Sequence, residues 1–348
     1  MQIERGRHTY SEIMSQGAVW AATLEAFDEQ AGGVESLLRR PFSQTLFTGC
    51  GSTYYLSRAA ASAWQSLTRR PARGVPASEI WLQSSSVLAG EDTLLVTVSR
   101  SGETTETLRA LEVFEAEGGR ESLSITVYGE RELARRTRHA LVTRGAEEES
   151  VAQTRSFSSM YLLAQAAAGA AAGDSRHLES LRQAPAHFQP LVARHEELAR
   201  TLARDKSLVR FIFLGSGAQY GLACEAMLKM KEMSLSPSEA FHFLEFRHGP
   251  MSVVAPGTLI VGLLGERAYE QEVKVLNEMQ ALGARVLAVG ENPANLAAEH
   301  VVSLSSGLPE LPRSILLLPV LQLLAFYRAY EKGLDPDRPT NLNAVVRL

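Results

Sequence analysis

Apolar residues in this chain come in two patterns. Short continuous runs such as Thr45-Leu46-Phe47-Thr48, Leu94-Leu95-Val96-Thr97-Val98 and Leu123 to Tyr128 have the length of buried strands. Longer stretches, Tyr55 to Leu67 and Thr105 to about Ala116, repeat their apolar positions at helical spacing. Residues 8–30 put Ile13, Val19, Trp20, Leu24 and Phe27 on one helix face and predict an arm leading into the first domain. The run at 45–48 ends in Gly49-Cys50-Gly51-Ser52-Thr53, and the run at 94–98 ends in Ser99-Arg100-Ser101-Gly102-Glu103-Thr104. Each is a strand, a turn of small residues and a helix; Leu123–Tyr128 and Ala140-Leu141-Val142 follow at βαβ spacing.

A second round opens near residue 208. Val209 to Leu214 runs into Gly215-Ser216-Gly217 and a helix, after which strands at Leu259–Leu264, Ala284–Gly290 and Val301–Leu304 alternate with helices at Glu270–Leu282 and Leu316–Tyr330. The stretch from about Gly173 to Arg204, helical and rich in Arg, His and Glu, reads as a connector. The halves repeat one plan over roughly 150 residues each, the signature of a duplicated unit. The expected fold class is therefore α/β: two tandem doubly wound parallel-sheet domains of the flavodoxin-like sandwich type. The expected domains are an N-terminal helical arm at 1–30, a first domain at 31–185 and a second at 186–348.

Composition narrows the partners. With 348 residues, 45% hydrophobic and 21% charged, the chain has the make-up of a soluble globular protein with room for two domains. A net charge of −4 gives no electrostatic case for nucleic acid or an anionic membrane. The longest apolar run, Ile315 to Tyr327, is too short to span a bilayer and reads as a buried helix. Met1-Gln2-Ile3-Glu4-Arg5 lacks the apolar run of a signal peptide, so a cytoplasmic location is expected. Cys50 and Cys224 suggest neither a disulfide framework nor a metal site, and neither metal nor cofactor is expected.

The chemistry concentrates at 229–250. Leu222, Glu225, Lys229 and Glu232 share one helix face, and Arg247-His248-Gly249-Pro250 follows closely. Carboxylate, amine and imidazole together suit proton transfer, whereas the alternative is a surface helix with ordinary ion pairs. The flanking residues Ala223, Cys224, Ala226, Met227, Leu228 and Met230 make the helix largely apolar, and a charged stripe on a buried helix needs partners or a job. Only five of the 35 basic residues are lysines, and two of them, Lys229 and Lys231, sit beside Glu232. Ser99, Ser101 and Thr104 bring hydroxyls around Gly102 at a helix start, an arrangement that suits phosphate; a helix cap with spare serines is the competing reading. The matching turn of the second half, Gly265-Glu266-Arg267, has a carboxylate and no hydroxyl. One half is thus expected to bind phosphate and the other to supply catalysis. Neither glycine turn fits a dinucleotide fingerprint and there is no P-loop, which points to a small phosphorylated molecule and away from a nucleotide.

Six segments, in order, carry a resemblance to a known family. Cys50-Gly51-Ser52-Thr53, Ser99 to Thr104, Ser150 to Phe157, Lys229 to Glu232, Arg247 to Pro250 and Lys332 to Leu342 resemble the sugar isomerase (SIS) domain proteins, and most nearly the isomerase half of glutamine–fructose-6-phosphate aminotransferase. The resemblance implies that Ser99, Arg100, Ser101 and Thr104 hold a sugar phosphate, with Arg100 where the aminotransferase has glutamine. It puts Ser52 and Thr53 in the substrate-binding set, Thr53 at a sugar hydroxyl, with the Val151 backbone and Gln153 lining the same pocket. It makes Glu232 the base acting between C1 and C2, Lys229 the cation that steadies the intermediate, and His248 the ring-opening group supplied by the partner of a homodimer. Two departures stand out. The sequence carries no glutaminase half or N-terminal cysteine nucleophile, and Ala344 stands where the aminotransferase has an imine-forming lysine. The leading expectation is an amino-sugar-phosphate deaminase/isomerase. The alternatives are a fructosamine-6-phosphate deglycase, an aldose/ketose isomerase, or a non-catalytic sugar-phosphate sensor.

Overall fold

The computed structural model describes residues 5–88, 92–296 and 298–345. The Met1–Glu4 stretch read above for a leader, and the last three residues of the tail, lie outside the described residues. The chain opens with α1 (Arg7–Met14) and α2 (Gln16–Arg39), so the helix expected over 8–30 is interrupted at Ser15 and then runs on to Arg39. The expected face is buried: Ile13, Val19, Trp20, Leu24 and Phe27 all lie in the core.

The first sheet is built from β1 (Gln44–Gly49), α3 (Ser52–Thr68), β2 (Ala72–Pro76), the short helices α4 (Ala77–Leu82) and α5 (Ser84–Val87), β3 (Thr93–Ser99), α6 (Thr105–Ala116), β4 (Glu121–Thr126), α7 (Glu132–Arg136) and β5 (His139–Val142). The strands are all parallel, in the order β2-β1-β3-β4-β5. Central β3 is buried at every position, as a strand covered on both faces must be, which is why it is mostly apolar. Edge strand β2, Ala-Arg-Gly-Val-Pro, has no such run and ends in a proline that an edge tolerates. Two long helices follow: α8 (Arg155–Ala172), buried along almost its whole length, and α9 (Ser175–Arg204) in the place of the expected connector.

The second sheet repeats the plan with β6 (Arg210–Gly215), α10 (Ala218–Ser234), β7 (Ser238–His242), α11 (Phe243–Phe246), β8 (Thr258–Leu263), α12 (Tyr269–Ala281), β9 (Arg285–Gly290), β10 (His300–Ser303), α13 (Glu310–Arg313) and α14 (Pro319–Glu331). Its parallel order, β10-β9-β8-β6-β7, is the first order read from the other edge. Both sheets therefore reverse direction between their first and third strands, β1/β3 and β6/β8, where ligands of doubly wound sheets bind. The stretch Glu310–Glu331 is long and apolar enough to cross a membrane, and 89% of the 18 residues within it that meet that measure are buried inside the protein.

The chain divides into two compact units whose borders cross the sequence several times. The first-sheet unit comprises Ser15–Glu148, Gln153–Pro185 and Asn343–Leu348; the second-sheet unit comprises Met1–Met14, Glu149–Ala152 and Ala186–Leu342. The arm expected at 1–30 is thus split, with α1 joining the second sheet and α2 the first. Hydrogen bonds explain α1's membership. Asp337 accepts from the N–H groups of His8 and Thr9 at 3.1 and 2.7 Å and from the Thr9 hydroxyl at 2.7 Å, while Asp335 accepts from the Gly6 N–H at 3.1 Å. These carboxylates cap the helix where its dipole favours negative charge. Glu12, on the same helix, accepts from the N–H groups of Glu149 and Ser150 at 2.6 and 3.2 Å, tying that short segment to the same unit.

Candidate active site

Helix α10 starts from a turn that only glycine permits. A β-carbon on Gly215 would lie 2.5 Å from the Gln219 carbonyl oxygen, and Gly217 sits at φ +56°. The helix buries the face that carries Glu225 and Lys229: the Lys229 side chain is 1% exposed and that of Glu225 0%. Lys229 Nζ lies 3.2 Å from Glu225 Oε1 and donates to Glu232 Oε2 at 2.6 Å. Burial pulls the Lys229 amine down, but the two carboxylates outweigh it and hold the ammonium above its ordinary value. Glu232, 18% exposed, is the member of the trio that solvent or a ligand can reach. The far end of α10 is closed by Lys332, whose Nζ donates to the carbonyls of Ser234 and Leu235 at 2.7 and 3.4 Å and to Ser236 Oγ at 3.2 Å. His248 follows α11 on an exposed turn, next to Gly249 at φ +117°, and its ring has no hydrogen-bond partner among the described residues.

In the first-sheet unit, Gly49 and Thr53 close the β1–α3 turn. A β-carbon on Gly49 would strike Thr53 Oγ1 at 2.6 Å, and that hydroxyl donates to the Cys50 carbonyl and accepts from the Cys50 N–H, both at 2.9 Å. Ser52 beside it is 5% exposed. The β3–α6 loop turns at Gly102, φ +66°, where a β-carbon would meet Arg131 Cβ at 2.8 Å. Buried Ser99 accepts from the Gly102 N–H at 3.1 Å. Half-buried Ser101 accepts from the Glu103 N–H at 3.2 Å and lies 3.4 Å from the Thr104 hydroxyl. The N-cap residue of α6, Thr104, makes no side-chain cap hydrogen bond to the helix whose dipole end it precedes. Gln153 has a buried Oε1 with no hydrogen-bond partner among the described residues, the kind of atom that a ligand satisfies. Val151 belongs to the second-sheet unit, and its N–H donates to the Asp337 carbonyl at 3.0 Å.

Arg100 and two unforeseen residues complete this loop. The Arg100 guanidinium pairs with Glu148 at 3.2 Å and donates to the Ala344 carbonyl at 3.2 Å. Glu148 carried no sequence signal, because its partners are set by tertiary structure. Thr126, which ends β4 beside Ser99, keeps a buried hydroxyl with no hydrogen-bond partner among the described residues; a threonine at a strand end gives no hint of that.

The corresponding turn after β8 is already filled. The Gly265 N–H donates to Glu272 Oε2 at 2.8 Å, and the Glu266 N–H donates to Glu310 Oε2 at 2.9 Å, with Gln219 Nε2 on the other Glu310 oxygen at 2.7 Å. Burial holds the Glu272 carboxyl above its ordinary value. The second sheet thus spends the N–H groups of this turn on its own carboxylates, which fits the absence of hydroxyls there. Among the described residues no group of three or more His, Cys, Asp or Glu could hold a metal ion.

The SIS domain model matches residues 41–170 and 205–308. The chain belongs to the SIS domain family. Its two matched segments coincide with the two sheets, β1 to β5 with α8, and β6 to β10. Among curated relatives, the glutamine–fructose-6-phosphate aminotransferase of Neisseria meningitidis serogroup B is 30% identical over 350 residues, which cover 95% of this chain and 57% of that protein. The chain spans about half the length of the curated relatives it matches. Among solved structures, glucosamine-6-phosphate deaminase from Thermotoga maritima superposes with a TM-score of 0.80 at 29% identity, covering 98% of this chain and 100% of that one. Tagatose-6-phosphate ketose/aldose isomerase from Escherichia coli shares the fold, with a TM-score of 0.88 at 22% identity over 97% of this chain and 96% of that one.

Proposed function

We propose that this SIS-family enzyme converts a 2-amino-2-deoxyhexose 6-phosphate to the ketose 6-phosphate and ammonia. The observation that carries the reading is the buried Lys229 ammonium, held charged by Glu225 and hydrogen-bonded to the more accessible Glu232. In the open-chain sugar, Glu232 takes the C2 proton, and the C1 oxygen gains the electron density that the Lys229 charge steadies. Returning the proton to C1 gives the 2-imine, and water adds to that carbon and releases ammonia. No enzyme lysine takes part in this sequence, which suits alanine at 344. The phosphate is assigned to Ser99, Ser101 and Thr104, with Ser52, Thr53, Gln153 and the Val151 backbone in the sugar-binding set. His248 is assigned to ring opening, contributed by the second copy of a homodimer, and its exposed ring, without a hydrogen-bond partner among the described residues, supports that role. The enzyme is read as cytoplasmic, with no cofactor.

The relative from Thermotoga maritima, a glucosamine-6-phosphate deaminase by name, supports the substrate class. The deglycase and isomerase readings use the same proton transfer on other substrates. Ammonia release measured across hexosamine 6-phosphates, with fructosamine 6-phosphates and ketohexose 6-phosphates as the other arms, separates them. Turnover of fructosamine conjugates alone would replace the deaminase reading.

A further inference from the structure

Arg100 stands between two hydroxyl residues of the phosphate loop, yet its guanidinium is committed elsewhere. The side chain is 8% exposed and faces Glu148, whose own side chain is 0% exposed. Glu148 is pinned in turn. Its Oε1 accepts from the N–H groups of Thr154 and Ser156 at 2.7 and 3.1 Å and from the Thr154 hydroxyl at 3.1 Å, and its Oε2 accepts from the Ser156 hydroxyl. The carboxylate therefore caps α8, where the helix dipole favours it, and Arg100 neutralises it. The second fork of the same guanidinium holds the backbone carbonyl of Ala344 at 3.2 Å. A single residue thus joins the α8 cap, the phosphate loop and the C-terminal tail. A glutamine at 100, as in the enzyme this loop resembles, has one amide donor group and no charge for Glu148.

We propose that Arg100 is a positioning residue that clamps the C-terminal tail against the Ser99–Thr104 loop, with Glu148 fixing its orientation, and is not a ligand of the substrate's phosphate. The proposal rests on the functional reading only in taking that loop as the phosphate site. The clamp uses a planar fork whose two terminal nitrogens are held on separate acceptors, a geometry that the compact ammonium of lysine does not reproduce. Lysine at 100 would keep the charge that a phosphate ligand requires but would not bridge Glu148 and the tail. The charge-keeping and charge-losing substitutions therefore separate the two roles.

The test uses the full-length protein with R100K, R100Q and E148Q. Amide hydrogen exchange at Asn343, Ala344 and Val345 is measured together with the dissociation constant for glucosamine 6-phosphate and with kcat and KM. The expected result is exchange faster by about tenfold in the tail of R100K and R100Q, since the lost bond involves a charged donor, and a change in the same direction in E148Q. The dissociation constant should stay within about threefold of wild type while kcat falls, because the tail is misplaced and the phosphate contacts are intact. Unchanged tail exchange in R100K would overturn the clamp even if R100Q proved too unstable to study. So would a dissociation constant weakened tenfold or more in R100Q and restored in R100K. Failure of wild type to turn over any amino sugar phosphate would count against the functional reading, while tail exchange would still report on the clamp.

Discussion

Lys229 and Glu232 are joined by a hydrogen bond of 2.6 Å whose two ends differ in access: the amine is 1% exposed and the carboxylate 18%. The buried partner supplies charge, and the accessible one can exchange a proton with a substrate. Glu232→Gln keeps the size and much of the hydrogen bonding but removes the base, so turnover should fall by about 10²–10⁴-fold, the usual worth of general-base catalysis. Substrate affinity should change little. Activity close to wild type would move the base elsewhere, with Glu239 on β7 the next residue to test.

Removing the cation has a different signature. Lys229→Met leaves the fully buried Glu225 without its charge partner, a situation that costs about 3–5 kcal/mol. The pH dependence follows from the direction of the lysine's shift. Its folded value lies above the ordinary 10.5, so the folded state holds this proton more tightly than the unfolded chain does. The stability gained is complete below pH 10.5 and is lost as pH rises through the folded value. Urea midpoints taken from pH 9 upward should fall more steeply in wild type than in the methionine variant. Parallel slopes would show that the amine is not held this way.

Replacing Ser101 and Thr104 together by alanine should weaken phosphorylated ligands by a few kcal/mol, since each hydrogen bond to a charged group contributes about 1.5–3 kcal/mol. Calorimetry with glucosamine 6-phosphate and free glucosamine on the same protein reads this directly. If wild type binds the free sugar as tightly as its phosphate, the loop does not read phosphate.

Borohydride added during turnover should trap no sugar on the protein. Of the five lysines, Lys229 is buried between carboxylates and Lys332 is committed to the end of α10, while Lys206, Lys231 and Lys274 are exposed. A lysine adduct found by mass spectrometry would restore imine chemistry and remove the significance of Ala344.

The duplicated architecture was legible because the central strands of a parallel sheet are covered on both faces and are therefore mostly apolar, as β3 and β8, buried at every position, are. Edge strands β2 and β7 were not, since Arg73 and Gly74 in one and Ser238 and Glu239 in the other break any apolar run, and an edge does not require one. The Glu225–Lys229–Glu232 trio could be read from helical spacing alone. Glu148, Glu12 and Glu272 could not, because each acts on backbone N–H groups that only the folded chain brings to it. Arg100 was assigned its place by resemblance, and its partners became visible only in the structure.

The carboxylates that cap α1 have a consequence for how the molecule is made. Asp335 and Asp337 lie 328 or 329 positions after the N–H groups they cap, and α1, at eight residues, is too short to persist alone in water. At a synthesis rate of about 5–20 residues per second, the ribosome delivers those aspartates on the order of tens of seconds after the helix. A ribosome-arrested chain stopping before residue 335 should accordingly show α1 amides exchanging freely while β1 to β5 are protected. Strands β1 to β5 all precede residue 143 and can pair while translation continues, whereas the cap of α1 waits until Asp335 and Asp337 have emerged.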